Sequence, residues 1–304
     1  MRNSLLALAL AAGIGLVAAP PANATPSSRI AVHFDITKGR QPENIALAPD
    51  GTAYVTFASA RQVASVSPTG KVRILATLPD GGTAAPVLGF ALTTGIVRTA
   101  DGTLYFLYAS GDAATTGLYR LSPGREPRRI AALPASGLPN GLAYDEKTET
   151  FYLTDSVLGT ISTVPLKGGT AQTWSSAKEL AAAGFLGANG IKVKDGAVWA
   201  TNLDAGTLLR IPIKHGRPGP VQVEATGLAG IDDIAFTRDD QVIATLNAPN
   251  KVVRIDERGH ATTLLTEGLQ NPTSVAVRGR TLYVLSAAYL TATDPNLIIA
   301  RLSR

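Results

Sequence analysis

Six residues with a side-chain oxygen, Glu43, Thr94, Asn140, Asn189, Asp232 and Thr273, occupy the same place in six similar stretches of the chain. They comprise two carboxylates, two amides and two hydroxyls, and Asp233 follows directly on Asp232. A mixed oxygen set of this kind suits a hard cation such as calcium far better than zinc or copper, which favour thiolate and imidazole. The chain has no Cys and only three His. His33 falls on an outer strand, and His215 and His260 fall in turns leading to outer strands, so a histidine dyad is not expected at the site. The same polar residues also admit a purely structural role, hydrogen-bonded to water and neighbouring backbone. Asn-Gly and Asp-Asp are, besides, ordinary turn pairs.

The elements that must position these residues are short strands. β-Branched runs broken by Asp-Gly, Thr-Gly and Gly-Gly turns recur throughout, and no long window carries a helical period, so the chain reads as all-β. Pro42–Thr56 and Pro139–Thr154 spell one hairpin, which returns at Ala188–Thr201 and Ile231–Thr245 and, more weakly, at Thr94–Phe106 and Thr273–Val284. The steps between equivalent positions are 51, 46, 49, 43 and 41 residues. That period fits one four-stranded propeller blade per repeat and predicts a six-bladed β-propeller. The first blade is expected to use 44–48, 53–58, 62–67 and 71–78. The sixth repeat ends after a third strand at 297–302, and the segment 29–36 is expected to supply its outer strand and close the ring. In such a fold the six oxygen-bearing residues begin the innermost strands and meet at one mouth of the central channel. Ser176 and Glu179 have capping-box spacing and Gly184 suits a C-terminal cap, so a short helix is expected between them.

Composition limits the function. The chain has 304 residues, 17% charged and 45% hydrophobic, with 28 Lys and Arg against 23 Asp and Glu. The basic residues are dispersed and not interleaved with aromatics, which argues against a nucleic-acid partner. Residues 1–24 hold one charge, Arg2, then an apolar run from Leu5 to Ala19 and the small-residue end Ala22-Asn23-Ala24. This is the pattern of a secretory signal peptide, too short for a membrane span. A mature chain starting at Thr25 and forming a single propeller domain over 25–304 is expected to be exported, secreted and extracellular.

Glu43, Asn140, Asn189 and Asp232, with Asn140-Gly141-Leu142-Ala143 and Asn189-Gly190-Ile191 around them, resemble the Glu–Asn–Asn–Asp metal set of six-bladed calcium-dependent hydrolases. That superfamily includes the gluconolactonase/regucalcin (senescence marker protein) family, the paraoxonases and diisopropylfluorophosphatase. The resemblance implies calcium at the channel mouth, replaceable by another divalent cation, and lactones or other esters as small-molecule substrates. It implies that Asp232 is the catalytic base or nucleophile. Such a cation would polarise the carbonyl and stabilise the developing oxyanion. The chain departs from the gluconolactonase pattern in reading Glu43-Asn44-Ile45 for Glu-Gly-Pro, and Ile231-Asp232-Asp233 for Pro-Asp-Gly.

Substrate-facing residues are expected from connections on the same face and from the remaining mouth positions: Thr94, Asp155, Asn202, Asp233, Thr273 and Phe185. Phe90, Leu92, Phe185 and Leu186 suggest a partly apolar mouth, although Phe90 and Leu92 can equally pack between blades. Phe106, Phe151, Tyr152, Trp199 and Tyr283 are expected in the core between blades, and Thr56, Thr154, Thr201 and Thr245 as structural strand residues. The alternative is a non-catalytic propeller, similar to NHL-type repeat proteins, that binds a ligand or protein partner at this mouth. A strictosidine-synthase-like lyase shares the fold, but the metal quartet argues against it. Fold alone does not choose among these.

Overall fold

The computed structural model describes residues 27–302, so the expected signal segment and cleavage point lie outside the described residues. Six antiparallel sheets form a six-bladed β-propeller. Their innermost strands are Pro42–Leu47, Leu92–Arg98, Pro139–Asp145, Ala188–Lys194, Ile231–Phe236 and Pro272–Arg278, in blades I to VI. Each packs on the next, and that of blade VI packs on that of blade I. Blade I continues outward through Ala53–Phe57, Gln62–Val66 and Val72–Thr77. These bounds lie within two residues of those read from the sequence, the usual uncertainty of strand ends. Blade IV carries an extra two-residue strand, Arg217–Pro218, beside Thr207–Lys214. In blade VI the outer strand is Ser28–His33, which runs antiparallel to Asn296–Arg301 with Ser28 opposite Ala300 and His33 opposite Asn296.

Alternation along each strand sends every second side chain to a face shared with a neighbouring blade, and six apolar clusters result. Val55, Phe57 and Ala64 meet Tyr283 and Leu285 between blades VI and I, and Val63 meets Phe106 and Tyr119 between I and II. Tyr105 and Leu118 meet Phe151 and Leu153, then Tyr152 and Ile161 meet Ile191 and Val198. The ring continues with Leu208 against Ile234 and Ala244, and with Ile243 and Val252 against Val275 and Val284. Each large apolar side chain buried in this way contributes about 1.5–3 kcal/mol. Phe106, Phe151, Tyr152 and Tyr283 are therefore core, as expected. Trp199 is half-buried and packs edge-on against Phe236 of the next blade, with ring centroids 5.3 Å apart.

The recurrent threonines do more than favour strands. The Thr56 hydroxyl donates to the Thr94 carbonyl of blade II at 2.7 Å, and that of Thr154 donates to the Asn189 carbonyl of blade IV. Thr201 reaches the Asp232 carbonyl at 2.7 Å and Thr245 the Thr273 carbonyl at 3.4 Å. Blades II and VI have Leu107 and Leu285 at this position, and there the hydroxyl comes from the inner strand instead. Thr94 donates to Pro139 O at 2.8 Å, and Thr273 donates to Pro42 O at 2.9 Å. Every junction between blades thus carries at least one threonine hydroxyl bond, and Thr93 adds a second between blades I and II.

The helix expected over 176–184 is not formed. Only Lys178–Leu180 makes a 3-10 turn, with Ala177 at its start and no side-chain cap. The backbone groups that would extend it are claimed by blade IV. Asn202 Nδ2 donates to the carbonyls of Glu179 and Ala181, both at 2.9 Å, and Asp204 accepts from the N–H groups of Ala183 and Phe185, both at 2.8 Å. Tertiary partners outcompete the local capping signal, since a helix this short has little stability of its own.

Candidate metal centre

In every blade the inner strand slips register at the same place: between Pro42 and Ile45, Thr93 and Ile96, Pro139 and Leu142, Ala188 and Ile191, Ile231 and Ile234, and Pro272 and Ser274. Such a bulge re-aims the side chain it contains. Glu43, Thr94, Asn140, Asn189, Asp232 and Thr273 all lie in these bulges. The glycines beside them let the blades approach closely. A Cβ on Gly141 would stand 2.3 Å from the Asn189 carbonyl, and one on Gly190 would stand 2.5 Å from the Asp232 carbonyl.

Glu43 and Asp232 are both buried. Burial pushes the Glu43 carboxyl up to about 7, opposed by a hydrogen bond from Tyr289 and assisted by the charge of Asp233. Burial, then the charges of Glu43 and Asp233, raise Asp232 well above the usual carboxylate range. Each carboxylate has one oxygen held and the other without a hydrogen-bond partner among the described residues. The Tyr289 hydroxyl donates to Glu43 Oε2 at 2.5 Å, and Asn247 Nδ2 donates to Asp232 Oδ2 at 3.0 Å. Neither carboxylate forms a salt bridge among the described residues; the Lys192 ammonium is paired with Asp233.

The amides complete a set with the right polarity. Ser156 gives its one hydroxyl proton to the Ala188 carbonyl at 2.6 Å, so its 3.0 Å bond with Asn140 must be donated by Asn140 Nδ2. Asn140 Oδ1 is left as an acceptor with no partner among the described residues. Asn189, 3% exposed, makes no side-chain hydrogen bond among the described residues. Two carboxylate and two amide oxygens at one channel end, with two like charges buried and uncompensated, fit a divalent oxygen-ligated cation. Among the described residues no group of three or more His, Cys, Asp or Glu side chains is arranged to hold a metal. The third nearby carboxylate, Asp233, is turned away to Lys192 and to the Ser274 hydroxyl, each at 2.6 Å.

Of the residues expected to face substrate, four have their polar atoms committed to the protein and a fifth, Asp155, has one oxygen so held and Oδ2 without a hydrogen-bond partner among the described residues. Thr94 and Thr273 bridge blades, and Asp233 holds Lys192 and Ser274. Asp155 Oδ1 accepts from the N–H groups of Leu138, Val157 and Leu158 at 2.8–3.1 Å. Its pKa is raised by burial against the pull of those bonds. Asn202 ties down the 3-10 turn and accepts from Ala205 N. Phe185 is different: it is 49% exposed on the mouth side. Leu92 and Leu186 are buried and Phe90 packs on them, within an apolar layer that also holds Ala58, Ala85, Ala109, Leu138 and Tyr289.

Tyr289 and Asn247, expected from the sequence only as residues of the mouth-side loops that face substrate, support the site, as do Ser156 and Lys192, which are not among the residues expected there. Tyr289 and Asn247 lie in loops between second and third strands, where nothing local marks a partner 246 or 15 residues away. Lys192 carried a usable signal. It stands where the other five inner strands have Ala46, Val97, Ala143, Ala235 and Ala276.

Comparison with solved structures finds the same fold at low identity. A gluconolactonase from Xanthomonas campestris superposes with a TM-score of 0.68 at 13% identity, covering 92% of this chain and 91% of that one. Regucalcin from Agrobacterium tumefaciens, described as a calcium-binding protein, gives 0.68 at 15%, covering 92% and 96%. Virginiamycin B lyase from Staphylococcus aureus gives 0.63 at 16%, covering 88% and 82%. No curated protein sequence matches significantly. Residues 95–288, more than half of the chain, match the family model described as the SMP-30/Gluconolactonase/LRE-like region. With its propeller architecture and that match, the chain belongs to the SMP-30/gluconolactonase/LRE-like family.

Proposed function

We propose that the protein is an exported, calcium-dependent hydrolase of lactones or other esters, acting at the channel mouth. The observation that carries this reading is the pair of buried carboxylates, Glu43 and Asp232. Each has one oxygen anchored by a neighbour and one free, and the free acceptors of Asn140 and Asn189 accompany them. Export rests on the signal pattern of residues 1–24, and hydrolysis on family membership.

A divalent ion bound there supplies a Lewis acid for a carbonyl oxygen. The remaining work falls to the chain. Asp232 accepts a proton from a water whose oxygen attacks the carbonyl carbon. The carbon–oxygen bond to the leaving alkoxide breaks, and that proton passes to the alkoxide, giving a hydroxy acid from a lactone. Asn247 holds Asp232 Oδ2 and so fixes the orientation of this carboxylate. Tyr289 holds Glu43 in one rotamer, and the bond to Ser156 fixes which atom Asn140 presents. Four of the five exposed large apolar side chains among the described residues, Val87, Leu158, Phe185 and Leu290, sit in connections on the mouth side. This favours a substrate with an apolar tail over a bare sugar acid.

The test is hydrolysis of lactones of increasing acyl length by metal-stripped and calcium-loaded protein, with Asp232→Asn alongside. The variant is expected to bind calcium and to lose about 10²–10⁴-fold in rate. Full activity in Asp232→Asn excludes the assigned role. Calcium binding with no hydrolysis of any ester makes the protein a binder at the same mouth.

A further inference from the structure

Three carboxylates gather at this end of the channel, and among the described residues only one of them has a cation. The charge of Asp233 bears on both Glu43 and Asp232, while Lys192 Nζ lies 2.6 Å from Asp233 Oδ1. The Asp233 side chain is 2% exposed and that of Lys192 29%. The other Asp233 oxygen accepts the Ser274 hydroxyl at 2.6 Å. Room for this pair is built into blade IV, since a Cβ on Gly190 would stand 2.9 Å from Asp233 Oδ1. Lys192 also lines a cavity of about 500 Å³ that opens at the opposite end of the channel, among Ile45, Ile96, Leu142, Phe236 and Val275. Its ammonium thus lies between that cavity and the carboxylates.

We infer that Lys192 is the channel's built-in counter-ion: its ammonium neutralises Asp233, leaving Glu43 and Asp232 to balance a single divalent ion and excluding a second from the channel floor. The inference rests on the metal-site reading above. A buried carboxylate left unpaired is strongly unfavourable, so the floor needs a cation whether or not the mouth holds one. A lysine supplies it permanently, from a position where the other blades carry Ala or Val.

Calcium titration of the metal-stripped protein by calorimetry tests this, with Lys192→Met, Asp233→Asn and the double variant in one cycle. Wild type is expected to take one equivalent. Lys192→Met, which leaves a third uncompensated charge, is expected to bind calcium at least about tenfold more tightly. In Asp233→Asn the freed ammonium competes for Glu43 and Asp232, and affinity is expected to fall by about tenfold or more. The double variant is expected to return close to wild type.

Two equivalents in the wild type, or unchanged affinity in both single variants, overturns the counter-ion and leaves the metal site standing. No calcium uptake by the wild type overturns the metal-site reading instead. The melting temperatures then decide the counter-ion separately. A fall in Lys192→Met that the double variant restores supports it, and equal values overturn it. Should Lys192→Met fail to fold, Asp233→Asn and the double variant carry the test, because neither leaves an unpaired carboxylate on the floor.

Discussion

Glu43 shows how much of the candidate site depends on single atoms. Burial holds its carboxyl up to about 7, so a proton must leave before the oxygen can bind a cation. Calcium affinity is therefore expected to climb as pH rises through about 7 and to fall steeply below it, measured by calorimetry at a series of pH values. A flat profile would show that Glu43 is not a ligand. The linkage has the opposite sign for the metal-free fold. A raised carboxyl contributes stability that is fully present below its unfolded value and is lost as pH rises through about 7. Tyr289→Phe removes the hydroxyl that fixes Glu43 while keeping the ring in its apolar layer. Calcium affinity is expected to drop about 10–100-fold, with little change in melting temperature. Equal affinity would make the tyrosine a packing residue only. Residue identities at this scale were legible where the blades repeat, as for Glu43, Asn140, Asn189 and Asp232. Tyr289 was legible only as a mouth-loop residue, and neither its bond to Glu43 nor the part of Ser156 was, because those partners are neighbours in space alone.

The bulged inner strand is the element that turns a repeated hairpin into a site. Its register slip aims one side chain per blade at the mouth, and the following glycine or small polar residue lets the adjacent blade close in. Gly141→Ala would place a methyl 2.3 Å from the Asn189 carbonyl. It is expected to cost about 1–3 kcal/mol, read from urea unfolding. Gly184→Ala is the control: nothing lies within 4 Å of the new methyl, and a change within about 0.5 kcal/mol is expected. Equal effects would show that the blades adjust freely and that the bulge geometry is soft. Strand positions were readable to a residue or two because alternation is local. The helix proposed over 176–184 failed because Asn202 and Asp204 bind the backbone groups it would have used, and no capping motif registers such a competitor.

At the scale of the whole molecule the ring joins its two ends in blade VI, where Ser28–His33 covers the strand Asn296–Arg301. Removing residues through His33 leaves that strand with an open row of donors and acceptors, a template for pairing with other chains. The truncated protein is expected to lose monodispersity on size exclusion and to melt at a lower temperature; a monomer of unchanged stability would mean the pairing is dispensable. By itself the sequence determined an all-β chain of six repeats, hence a propeller, because hydrophobic alternation and repeat period are properties of neighbouring residues. Equivalence among the repeats also placed six oxygen-bearing side chains on one rim, and the resemblance to a known metal set singled out four of them. Only the tertiary structure decided which oxygens are free. Tertiary hydrogen bonds and ion pairs took the polar atoms of Thr94, Asn202, Asp233 and Thr273 and one oxygen each of Asp155, Glu43 and Asp232, and that competition is settled by distance in space, which no spacing along the chain encodes.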